Sequence, residues 1–214
     1  MTVGRISHVQ PTAAAVVMVV IAVLLIHHAS YVRVEGGTRI WSVMPYSNST
    51  DAAKLLDMTN ARMIEILRHI KKKYAIDQPG APTHTSTVQR ICDTLLDNYN
   101  PDVFRENDPV TGSGTSYTLN KGSKMMICLR SKADPNVLVD PNVLLFVVLH
   151  ESAHIANYRS WQHDDIFWST FKFLLQEAQE SGVYVPVDYA SNPVVYCGMT
   201  IDYNPLFDAS LGPV

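Results

Sequence analysis

His150 and His154 stand four residues apart with Glu151 directly after the first, and these are the residues whose types and spacing can do chemistry. On a helix, side chains four apart project from one face. Two imidazoles so placed can grip one zinc ion. Glu151 is turned by about 100° along the same helix. From there it reaches a metal-activated water without being a ligand and can act as its general base, while the metal polarises the attacked carbonyl. The pattern H-E-x-x-H arises by accident in roughly one chain in a hundred of this composition. It predicts a zinc-dependent metallopeptidase, with Zn2+ as cofactor and a peptide or unfolded protein as substrate.

A zinc site of this kind needs a third protein ligand. His163, nine residues past His154, is far enough along for the chain to leave the helix, turn and return. Asp164 and Asp165 would start the next helix, and Phe167 and Trp168 could pack the imidazole down. Glu177 or Glu180 on that next helix is the rival, which would make a two-His, one-Glu site. Tyr158, Tyr189 and Tyr196 are candidates to donate to a developing oxyanion. Met199 is either a methionine beneath the metal or an ordinary core residue.

The elements that must position these residues can be read from caps and periodicity. Asp140-Pro141 starts a helix, with Asp as N-cap and Pro in the first helical position, and the apolar run 143–149 leads into the histidines. A second helix is predicted from about Asp164 to Glu180, stopping at Gly182. Upstream, helices are predicted over 51–74 and 85–98, with residues 100–114 as loop. Strands are predicted over 116–119 and 124–129 around a turn at Asn120-Lys121-Gly122-Ser123. Lys71, Lys72 and Lys73 close the first helix, where positive charge suits the macrodipole; a patch for phosphate or acidic lipid is the functional alternative. The last thirty residues read as irregular.

On these residues the chain resembles the WLM and SprT-like (Spartan-related) zinc metallopeptidases. The resemblance rests on Leu119-Asn120-Lys121-Gly122, Ile127-Cys128-Leu129-Arg130, His150 to His154, and His163-Asp164 with Phe167-Trp168. It covers about a quarter of the chain. It implies an α+β, zincin-like fold: an active-site helix packed on a small sheet whose edge strand, 124–129, holds an extended peptide. It further implies His150, His154 and His163 as ligands and Glu151 as general base. Eight residues separate His154 from His163 where WLM proteins usually have five, and the family's DNA-associated role is not carried over.

The N-terminus is a different material. Residues 13–26 carry no polar side chain, and low polarity extends to 34. This predicts residues 1–12 as a tail, 13–34 as a transmembrane signal anchor and 35–50 as a linker. Residues 51–214 would be the peptidase domain of a single-pass membrane protein. A cleaved signal peptide is the competing reading. Arg5, Arg33 and Arg39 leave the orientation open. Asn48-Ser49-Thr50 is a glycosylation sequon. A net charge of −3 gives no footprint for nucleic acid. Cys92, Cys128 and Cys197 are widely spaced; one bridge is possible, Cys92 and Cys128 read as small buried hydrophobes, and Cys197 as a potential ligand. The alternative to a membrane-anchored enzyme is a catalytically silent zincin fold serving as a structural or virion membrane protein.

Overall fold

The structure is a computed structural model that describes residues 31–74, 86–110, 112, 114–157 and 162–214. The fold is α+β. In chain order the elements are β1 (Val32–Glu35), β2 (Ile40–Val43), α1 (Ser49–Tyr74), α2 (Ser86–Asn98), β3 (Phe104–Glu106), β4 (Tyr117–Leu119), β5 (Lys124–Ile127), α3 (Pro141–Ala156), α4 (Asp165–Glu180), β6 (Val194–Tyr196) and β7 (Met199–Ile201).

The organising element is α3. Asp140 caps it, its carboxylate accepting from the amides of Asn142 and Val143, and Pro141 occupies the first turn. Residues 143–149 are all buried, so this helix is apolar around its whole circumference. Such a helix must be enclosed. Helices α1, α2 and α4 and strand β4 pack on it. The helix therefore presents His150, Glu151 and His154 from inside the core.

One small sheet has the order β3-β5-β4, with β3 parallel and β4 antiparallel to β5. Strand β5 is thus the middle strand, and β3 and β4 are the edges; the expectation that 124–129 forms the edge is corrected. Just past β5, buried Arg130 pairs with Glu106 of β3 at 2.5 Å, and the other oxygen of Glu106 accepts from the amide of Met44 at 2.6 Å. Burial raises the Glu106 pKa, and Arg130 opposes that shift. The network pins the ends of β2, β3 and β5 together.

The expected membrane span over 13–34 is corrected. Residues 32–34 lie in β1, paired with β2 from Val32↔Val43 to Glu35↔Ile40. Among the described residues no helix is long and apolar enough to cross a membrane. Residues 13–30 of that expectation lie outside the described residues. Among the described residues nothing carries the expected signal anchor, the membrane as partner, the single-pass localisation or the membrane-anchored form of the function. The stretch 35–50 holds β2, with Trp41 and Val43 buried in the core.

Three smaller expectations are refined. Asn48 accepts from Arg130 and donates to the carbonyl of Asn136 at 2.7 Å, so its side chain is engaged within the fold. Lys73 is taken up by Glu177 and Glu180 at 3.0 and 2.5 Å. The C-terminal stretch carries the antiparallel hairpin β6–β7.

Candidate metal centre and cleft

Three imidazoles converge at the end of α3. His163 Nε2 lies 3.0 Å from His150 Nε2 and 3.1 Å from His154 Nε2. Zinc–nitrogen bonds of about 2.0–2.1 Å in tetrahedral geometry require nitrogens about 3.3 Å apart. The observed spacing is close to that, and this cluster could hold a metal ion. His163 arrives on the segment that enters α4, whose N-cap Asp164 accepts from the amide of Phe167 at 2.9 Å. Phe167, fully buried, forms the floor: its ring centroid is 4.9, 4.4 and 4.5 Å from those of His150, His154 and His163.

The electrostatics favour neutral imidazoles. Burial, then His154 and His163, hold the His150 pKa down at about 3. Burial, then His163 and Lys121, hold His154 at about 4, and burial lowers His163. Neutral imidazole is the form that ligates metal. Glu151 is 5% exposed, and burial raises its carboxyl to about 7, with the proximity of Thr118 on β4 opposing that shift. Its Oε2 is buried with no hydrogen-bond partner among the described residues. An orphaned carboxylate oxygen beside three convergent lone pairs fits a site made for a metal and its water.

The rival ligands are elsewhere. Glu177 and Glu180 form a second cluster with His69, which could also in principle hold a metal. There Glu177 accepts from Tyr74 Oη at 2.6 Å, and Lys73 already supplies a cation. Of the tyrosines, Tyr196 lines the cleft, with its hydroxyl donating to the Cys128 carbonyl at 2.8 Å and 2.6 Å from Ser116 Oγ. Tyr189 packs behind the lining residue Phe146 and does not itself line the cleft, and Tyr158 lies outside the described residues. Met199 is 51% exposed on the cleft wall, neither in the core nor beneath the histidines.

A disulfide joins Cys128 to Cys197 across 69 residues, which corrects the reading of Cys128 as a simple hydrophobe and of Cys197 as a ligand. Cys92 is free and buried. The bridge fastens the β6–β7 turn to the end of β5. The cleft that results has a volume of about 470 Å³ and opens onto His150, Glu151, His154 and His163. Trp168, expected to pack on His163, also lines it, as do Thr118, Ile201 and Tyr203, to which sequence reasoning gave no place in the cleft.

No protein-family model matches the chain. The chain is 29% identical over 177 residues to an uncharacterized protein of Acanthamoeba polyphaga mimivirus, covering 81% of this chain and 83% of that one. The crystal structure of Wss1 from Saccharomyces cerevisiae is similar to it at 20% identity, over 44% of this chain and 72% of that one, with a TM-score of 0.34. That is a distant likeness in part of the fold and assigns no family.

Proposed function

We propose that the chain is a zinc metallopeptidase, with His150, His154 and His163 as ligands and Glu151 as the general base. The observation that carries this is the convergence of three neutral imidazole nitrogens within 3.0–3.1 Å contacts, next to a buried, unpartnered carboxylate oxygen. Zn2+ bound there would supply a Lewis acid and lower the pKa of a coordinated water to about 7. Glu151, with its own pKa raised to about 7, is poised to take up a proton at Oε2 near neutrality and return it to the leaving amine. Strand β4 pairs on one side only, so its free edge can hold an extended peptide by main-chain hydrogen bonds. The proposed peptidase unit includes β1 and β2 as well as residues 51–214.

A second reading is a catalytically silent fold. It is favoured by how well the imidazole cluster packs on Phe167 with its rings already in mutual contact. Zinc stoichiometry and hydrolysis of an unfolded-protein or peptide library by the wild type and Glu151→Gln separate the two. The enzyme reading expects one zinc in each protein and a rate loss of at least about 10²-fold in the variant. Equal rates in the two zinc-loaded proteins would leave the silent fold.

A further inference from the structure

The two walls of the cleft differ in chemistry. One is the edge strand β4, where the Thr118 amide turns to Glu151. The other is built of Val147, Trp168, Phe171, Met199, Ile201 and Tyr203. The second wall is apolar, and Met199 and Tyr203 on it are exposed. Large apolar side chains left facing solvent in a concave site mark a contact surface. This wall also abuts the histidines. The Phe171 ring is 5.2 Å from that of His150, the Trp168 ring is 5.6 Å from that of His163, and Tyr203 stands edge-on to Trp168 at 5.1 Å.

Resting on the peptidase reading, we propose that this wall is a side-chain pocket selecting substrates with a bulky apolar or aromatic residue immediately beside the scissile bond. An extended peptide advances about 3.3 Å per residue, and its side chains alternate between faces. A backbone held along β4 with its carbonyl at the histidines therefore offers the opposite wall a side chain from a residue adjoining that carbonyl. A charged side chain would lose hydration there; the acids of the lining are Glu151, which is occupied with the chemistry, and Asp202, which is exposed at the mouth. Burying a Leu- or Phe-sized group favours binding about ten- to a hundredfold over an exposed one.

The test uses the zinc-loaded full chain and a peptide series varying one position among Phe, Leu, Gly, Asp and Lys. Turnover is read with the wild type, and equilibrium binding by fluorescence anisotropy with Glu151→Gln. The expected result is at least a tenfold preference for Phe and Leu in both readouts, reduced at least tenfold by Ile201→Asp. Met199→Asp, at a more exposed position of the same wall, serves if Ile201→Asp does not fold. Equal binding of Phe and Asp peptides, a preference for Lys, or an apolar preference untouched by a folded wall variant would overturn the pocket. If the wild type hydrolyses nothing, the peptidase reading fails alone, and the binding arm still decides whether the pocket selects apolar side chains.

Discussion

Lys121 Nζ donates to the main-chain carbonyl of Asn157, the residue that caps the C-terminal end of α3. It also reaches the carbonyl of His154 at 3.5 Å, and the Asp164 carboxylate, one residue from His163, acts on its charge. Lys121 thus joins the β4–β5 turn to both segments that carry the histidines. Asn120, Lys121 and Gly122 all have positive φ, at 45°, 54° and 100°. A Cβ at Gly122 would lie 3.2 Å from the Asn98 carbonyl and 3.3 Å from the side chain of Ile155 on α3. The backbone holds this strained turn where it delivers the lysine.

Lys121→Ala is therefore expected to lower stability by about 1–2 kcal/mol, the scale of a charged hydrogen bond at a helix C-terminus. Zinc affinity should fall severalfold as the two histidine segments loosen, with Lys121→Arg restoring part of it. Thermal unfolding and chelator competition check this. Unchanged zinc affinity in a destabilised Lys121→Ala protein would limit the residue to a packing role.

The metal assignment predicts that the two clusters respond differently. His150→Ala or His154→Ala should abolish zinc binding, and His163→Ala should weaken it by about 10²-fold or more. Glu177→Ala should keep one zinc. It should instead destabilise the fold by about 2–3 kcal/mol, because Tyr74, Lys73 and His69 lose a buried shared partner. Metal analysis and denaturant unfolding on the same samples separate these effects. Loss of zinc from Glu177→Ala with retention in His163→Ala would return the site to the two-His, one-Glu type.

The disulfide predicts a localised effect. Cys128→Ser with Cys197→Ser removes a link closing a long loop, which typically costs about 2–4 kcal/mol. The histidines sit on α3 and at the entry to α4, so zinc stoichiometry should stay at one. The β6–β7 hairpin supplies Met199 and Ile201 to the cleft wall, so binding of Phe-containing peptides should weaken. Zinc loss in the double variant would show that the bridge supports the histidines as well.

The clustering of the three histidines was legible because its signals are local. Asp140-Pro141 announces α3, the run 143–149 announces its burial, and His163 precedes a helix that Asp164 caps as expected. What could not be read depends on distant partners. Strand β5 is central only because the three residues of β3 pair with it, and three residues show no periodicity. That pairing moved the free edge to β4 and brought Thr118 to Glu151. Hairpin β6–β7 turns on Cys197-Gly198, with φ of 50° and 83°. An Asn or Asp before the glycine would have signalled such a turn; Cys197 stands there because it bonds Cys128, and pairing cannot be deduced from spacing. Strand β1 was hidden at the end of a stretch whose low polarity reads as an anchor, and β2 in a segment whose Gly, Pro and Ser content reads as linker, although Trp41 and Val43 are core residues.

The acid side of the stability curve tests the electrostatics of the cluster directly. In the metal-free protein His150 and His154 titrate at about 3 and about 4 when folded, below the 6.5 of an unperturbed histidine. Between those values the unfolded chain binds more protons, so their contribution is present above pH 6.5 and is lost as the pH falls toward 3. Glu151 has the opposite sign. Its folded pKa of about 7 lies above the ordinary 4.5, so its contribution is present below pH 4.5 and is lost as the pH rises through 7. Two histidines outweigh one carboxyl between pH 4.5 and 6.5, so metal-free stability should rise there with a net slope of about one proton, and near pH 7 the opposing effects about cancel. The wild-type curve should therefore level off near pH 7. Glu151→Gln removes the carboxyl, so its curve should rise about twice as steeply over pH 5–6 before reaching its plateau. Urea midpoints measured in chelator from pH 4 to 8 check this. A wild-type slope equal to that of Glu151→Gln between pH 5 and 6 would show that Glu151 is not held protonated in the fold.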